Sequence, residues 1–216
     1  MNRHWSESNK LRGNRLNIYH IYSAKPEGGV LENKDVLNKL RELRSFGTVI
    51  GLILSGANQA ETLQKVLKIK HEADPLFQSV QVTRNVLERS ATDALVTASQ
   101  SGIGIIVKEA VANGRLTNRN NEASFFNKKE QLIFIAKKYN VSIDAISIAY
   151  ILKQHWVSTV LSGAANQEQF KSNLNALKVE MSESDLNIFN SMMETPEKYW
   201  RTCSELQWNS NVMLLS

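Results

Sequence analysis

The stretch Val160-Leu-Ser-Gly-Ala-Ala-Asn-Gln-Glu-Gln-Phe-Lys-Ser-Asn173 carries an apolar segment through a run of small residues straight into a helix start. Gly163, Ala164 and Ala165 let a ligand come close to the backbone. The first free N–H groups of the helix then point at that ligand, with the positive end of the helix dipole behind them, which is a phosphate site in outline. A near-copy, Leu54-Ser-Gly-Ala-Asn-Gln59, stands earlier and also leads into a helical pattern.

Outward from these turns, apolar periodicity predicts buried strands over 18–23, 47–54, 77–83, 102–107 and 157–161. Helices are predicted over 31–46, 59–70, 91–100, 128–138, 142–154, 166–177 and 182–193, with Ser142 and Ser182-Glu-Ser-Asp185 as caps. The polar segment 113–127 reads as a long loop at the mouth of the fold. Short apolar strands alternating with amphipathic helices imply a parallel sheet with helices on its faces. The two Leu-Ser-Gly triplets begin about 107 residues apart, which three strand–helix units would fill at the spacing of a (β/α)8 barrel. Five strands are too few to close such a barrel.

At 216 residues and 42% hydrophobic content, the chain is long enough for one domain or a close-packed pair. No apolar run approaches the roughly 18 residues that a membrane span needs, and 1–17 lacks an apolar signal core, so a cytoplasmic protein is expected. Cys203 is the single cysteine, which excludes an internal disulfide and a thiolate metal centre. The four histidines, at positions 4, 20, 71 and 155, lack the paired spacing of zinc helices, so no metal is expected. A net charge of +5 allows an acidic cofactor or a basic surface. Lysine pairs beside acids, as in Lys128-Lys129-Glu130, read as a solvated face, and no nucleic-acid motif accompanies them.

Four segments in order carry a more specific likeness: Ile18-Tyr-His-Ile-Tyr-Ser-Ala24, Phe77-Gln-Ser-Val-Gln-Val-Thr-Arg-Asn-Val-Leu-Glu-Arg89, Val107-Lys-Glu-Ala-Val-Ala-Asn-Gly-Arg-Leu116 and Gly163-x5-Gln169-x3-Asn173. With them the chain resembles the C-terminal two thirds of an aldo-keto reductase, from about residue 18 to 208. The resemblance implies an α/β fold, a partial TIM (β/α)8-type barrel holding strands four to eight with their helices, as a single incomplete domain over 1–216. The first three strands would lie upstream of Met1, and 1–17, with Lys10-Leu-Arg12, resembles a shortened helix before the fourth strand. The family reduces carbonyls to alcohols, or the reverse, with NADPH and without metal. A Tyr, Lys and Asp from its early strands and a His carry the proton chemistry.

By resemblance, Gln169 and Asn173 contact the cofactor's adenine, and Gly163, Ala164 and Ala165 form the turn beside its 2′-phosphate. Two solvent-facing amides are the alternative for Gln169 and Asn173. Gln81 matches the strand glutamine that pairs with the nicotinamide carboxamide, and Lys108-Glu109 match a loop along the pyrophosphate, with Arg115 just beyond. A plain surface ion pair is the alternative for Lys108 and Glu109. The catalytic His position is Tyr22. His20, two residues earlier on the same strand face, reads as a core histidine. Arg84 stands where relatives place an aromatic ring under the nicotinamide, and Ile53 and Leu54 replace a polar contact to the carboxamide. The resemblance therefore implies an NADPH-linked carbonyl/alcohol oxidoreductase by descent, acting on a small carbonyl substrate, and inactive as this isolated chain. The alternatives are a non-catalytic nucleotide-sensing or partner protein and a decayed gene product.

Overall fold

The computed structural model describes residues 6, 7, 10, 16–22 and 29–206. The expected helix over 1–17 lies largely outside these residues, as do positions 23 and 24 at the end of the first matched segment and 207 and 208 at the end of the matched range. The chain divides into two compact units, one formed by 1–82 and 91–106, the other by 83–90 and 107–216.

In the first unit, strand β1 (Ile18–Ile21) is followed by helix α1 (Lys34–Ser45), strand β2 (Val49–Ile53) and helix α2 (Gln59–Leu67). A two-strand hairpin, β3 (Lys70–His71) and β4 (Asp74–Pro75), leads to strand β5 (Ser79–Thr83), helix α3 (Thr92–Gln100) and strand β6 (Gly104–Lys108). The strands lie in the order β1-β2-β5-β6. β1 pairs parallel with β2, Ile18 opposite Val49, and β2 parallel with β5, Gly51 opposite Ser79. Strand alternation sends Ile50, Leu52, Val80, Val82 and Ile105 to one fully buried face. Their alternates Val49, Ile53, Gln81 and Ile106 are only half-buried. α1 starts where the Asn33 side chain accepts from the N–H groups of Asp35 and Val36, and it buries Leu37, Leu40 and Leu43 on one face. Each such leucine contributes about 1.5–3 kcal/mol.

The helix predicted over 59–70 stops at Leu67, because the chain turns back at Glu72, with φ +56°, to form the hairpin. Arg41 and Arg44 of α1 hold both hairpin strands by donating to the carbonyls of Lys70 and Pro75.

The second unit contains the helices α4 (Phe126–Lys138), α5 (Ile143–Leu152), α6 (Gln167–Leu174), α7 (Glu183–Asn190) and α8 (Pro196–Ser204), with strand β7 (Thr159–Val160) between α5 and α6. α5 is buried on almost every side, and it packs against α4 and α6. Ser142 caps α5 through the N–H of Ala145, and Ser182 with Asp185 closes a capping box on α7.

The segment 113–127 is a loop of short turns up to the start of α4, and it buries Arg115, Leu116, Asn120 and Phe125. Its polar side chains bond the local backbone, as when Asn120 donates to the Arg115 carbonyl and Thr117 to that of Gly114. Apolar periodicity gives no helix over 196–204, yet Thr195 caps α8 there and Pro196 opens it. Among the described residues, no helix is long and apolar enough to cross a membrane.

Candidate functional site

The turn between β7 and α6, in the second unit, is built by its own side chains. Leu161 donates to the carbonyl of Val107, which ends the ladder just before the small residues begin. Gly163 takes φ +64°, and nothing lies within 4 Å of where a Cβ would stand. Asn166, in extended backbone geometry, caps α6 by accepting from the N–H of Gln169 at 2.9 Å. The Gln169 Oε1 in turn accepts from the N–H of Ala165 at 2.8 Å. One helical turn later, Asn173 donates from Nδ2 to the Ser162 carbonyl and hydroxyl, at 3.1 and 2.9 Å. The hydroxyl of Ser162 also accepts from Ala164 N–H at 3.3 Å.

Within the turn, the N–H groups of Ala164, Ala165 and Gln169 are taken by the turn's own side chains. Gln169 and Asn173 do share one helix face, the face turned towards Ser162 and Ala165, and both are half-exposed. Among the described residues, Gln169 Nε2 and Asn173 Oδ1 carry no hydrogen bond, which leaves one amide donor and one amide acceptor at the surface. The near-copy at 54–59 does not reproduce this arrangement. Gly56 is left-handed like Gly163, but Asn58 sits at φ −92°, ψ 15° and makes no capping bond.

Also in the second unit, Lys108 donates to the Thr83 hydroxyl at 2.8 Å and pairs with Glu109 at 3.1 Å, so both partners of the expected ion pair are present and mostly buried. Glu109 has φ +56°, and its other carboxylate oxygen accepts from Asn113 and from the Tyr199 hydroxyl, both at 3.4 Å. Arg115 does not line an open groove. It is buried, and it forks onto both oxygens of Glu194 at 2.9 Å, with Lys128 adding a third bond. Burial opposes the Glu194 charge, but the hydrogen bonds from Arg115 and Lys128 outweigh it and hold the carboxyl below its usual range. No sequence signal marks this cluster, whose members are far apart along the chain.

In the first unit, Gln81 stands mid-strand in β5, opposite Ile53. Its carbonyl accepts from Leu54 N–H, while its half-buried side-chain amide has no hydrogen-bond partner among the described residues. Leu54 is fully buried, whereas Tyr22 is 82% exposed. His20 lies across Gly51 with Nε2 at 3.3 Å from the Ser79 hydroxyl, and burial pulls its pKa down, towards the neutral ring.

Arg84 directly follows the last residue of β5. The guanidinium is buried over the rings of Tyr150 and Trp156.

The sequence matches the Aldo/keto reductase family model over residues 6–194. It is 30% identical over 100 residues to the NADH-specific methylglyoxal reductase of Escherichia coli K12, an alignment covering 44% of this chain and 31% of that protein. Protein tas of the same organism is 26% identical over 177 residues, covering 70% of this chain and 50% of that protein. The chain spans half or less of the length of these relatives. Among solved structures, aldo-keto reductase AKR11C1 from Bacillus halodurans, in its apo form, superposes with a TM-score of 0.71 at 16% identity, covering 90% of this chain and 68% of that one. The thermostable aldo-keto reductase Tm1743 superposes with a TM-score of 0.66 at 20% identity, covering 88% and 65%. At such identities the likeness shows the fold alone. The family match takes in most of the chain and agrees with its parallel α/β architecture: this protein belongs to the aldo/keto reductase family.

Proposed function

We propose that the chain is an NADPH-linked carbonyl/alcohol oxidoreductase by descent, built as strands four to eight of a TIM-type barrel, which keeps a nucleotide-binding turn and by itself turns over no substrate. One observation carries the binding part. Gln169 Nε2 and Asn173 Oδ1, one helical turn apart beside Gly163, offer the donor and acceptor that adenine N7 and its amino group take from paired amides. Gly163, Ala164 and Ala165 leave room for the sugar-phosphate, and Gly163 has open space where any other residue would carry a Cβ.

Taken separately, the unpartnered amide of Gln81 has the groups that a carboxamide pairs with, and Lys108 supplies a cation for a pyrophosphate once its bonds to Thr83 and Glu109 rearrange. When bound, the cofactor supplies the hydride, and these residues only hold and orient it. The inactivity rests on Tyr22, which stands exposed at the family's histidine position, and on Arg84, a buried cation at the family's aromatic position. A small carbonyl compound is the substrate class of the lineage, and the cytoplasm its expected compartment. The same two observations favour, as a second reading, a nucleotide-sensing protein without catalysis.

Fluorescence titration with NADPH tests the site. Saturable binding is expected in the wild type, weakened about ten- to a hundredfold in the Gln169→Ala, Asn173→Ala double variant, the worth of two hydrogen bonds. An equally weak response from both proteins would sink the proposal.

A further inference from the structure

We propose that Arg84 anchors a buried site for one small monovalent anion, of the chloride class, inside the second unit. Arg84 is 2% exposed, and its guanidinium lies over the Tyr150 ring at 4.8 Å and the Trp156 ring at 5.5 Å. These two rings offer the cation their π-faces but no hydrogen-bond acceptor for its N–H groups. One edge is weakly used: Nη2 stands 3.4 Å from the Tyr150 hydroxyl. Nε and Nη1 are buried without a hydrogen-bond partner among the described residues. A buried guanidinium stays charged and is normally both paired and hydrogen-bonded, so two open donors on a fully enclosed cation are a costly arrangement that an acceptor at either one relieves.

The charges around it decide which acceptor. Glu88 attracts Arg84 and Arg89 repels it, so the two roughly cancel and leave one positive charge over. Arg89 is anchored elsewhere, to the Tyr150 hydroxyl at 2.7 Å, the Phe189 carbonyl at 2.7 Å and Asn190 at 3.1 Å. Its Nη1 and Nη2 donors are thus spent on these groups. Burial pulls the pKa of Arg84 below the ordinary guanidinium value, the direction for a cation short of a counter-charge. A single monovalent anion neutralises the excess, whereas a phosphate or sulfate dianion would overshoot it and need more donors than two edges provide. The enclosure of the group also excludes an organic carboxylate at the end of a larger ligand. This inference makes no use of the adenine-side turn at Gly163, Gln169 and Asn173.

The test compares thermal midpoints in sodium chloride and in sodium gluconate at equal ionic strength. Chloride in about tenfold excess over its dissociation constant raises the wild-type midpoint by about 3 °C, while Arg84→Met shows no difference between the salts. Equal midpoints in the two salts for the wild type, or the same rise in the variant, overturn the proposal. Should Arg84→Met fail to fold, wild-type crystals soaked in bromide decide. An anomalous peak within hydrogen-bond distance of Nε or Nη1 supports the site, and ordered water alone at those atoms overturns it.

Discussion

Gly51 shows how much one residue of this sheet depends on its neighbours. A Cβ there would meet the His20 ring and would stand 2.9 Å from the carbonyl oxygen of Ser79. The side chain of His20 thus crosses β2 only because position 51 has none. Gly51→Ala is expected to destabilise the protein by about 1–3 kcal/mol, as overpacking does, measured by urea denaturation. Adding His20→Ala should recover only part of the loss, because the clash with the Ser79 backbone remains. Unchanged stability in the single variant would refute this packing. At this scale the sequence was legible where a residue acts through its own spacing: Gln169 and Asn173 fall on one face because they are four apart. It was not legible for Arg84 or Arg115. Their partners Tyr150 and Glu194 are 66 and 79 positions away, and no local pattern encodes such meetings.

Helix ends were the best-read elements, since a cap is a contract between residues three or four apart. Ser142 and the Ser182–Asp185 box cap as their spacing predicts, and Thr195-Pro196 held an equally plain signal for α8 that apolar periodicity passed over. The two Leu-Ser-Gly turns show the limit of such reading. Their sequences nearly repeat, yet only Asn166 has the extended backbone that brings its side chain onto the helix. Asp185 adds a tertiary layer to its cap. Burial works against its charge, but hydrogen bonds from Lys138, Ser182 and Tyr139 prevail and hold the carboxyl far below the ordinary range. A carboxyl depressed in the folded state stabilises above its unfolded value near 4, and that contribution is lost as pH falls through the acid range. Urea stability followed from pH 7 to pH 2 should therefore fall below about pH 4, and less steeply in Asp185→Asn, which already lacks about 1 kcal/mol of the cap at neutral pH. Parallel curves for the two proteins would show that Asp185 plays no such part.

For the whole molecule, the prediction concerns chemistry. Oxidation of NADPH by the 216-residue chain in the presence of small aldehydes should not exceed the enzyme-free rate, because removing members of a catalytic constellation costs several kcal/mol of transition-state stabilisation. Robust turnover with any aldehyde would overturn the inactivity and leave the adenine-side turn untouched.

The alternation of apolar runs with amphipathic helices was sufficient, by itself, to determine the α/β class, the parallel pairing and most element positions. These follow from short-range periodicity and from which faces must be buried. Tertiary structure alone decided that 113–127 closes on itself, that Arg115 pairs inward with Glu194, that Arg84 stacks on Tyr150 and Trp156, and that the amides of Gln169 and Asn173 first serve their own turn. A polar side chain's composition says that it needs a partner. Only the folded chain, by bringing distant backbone and side-chain groups within hydrogen-bond reach, says which partner it gets.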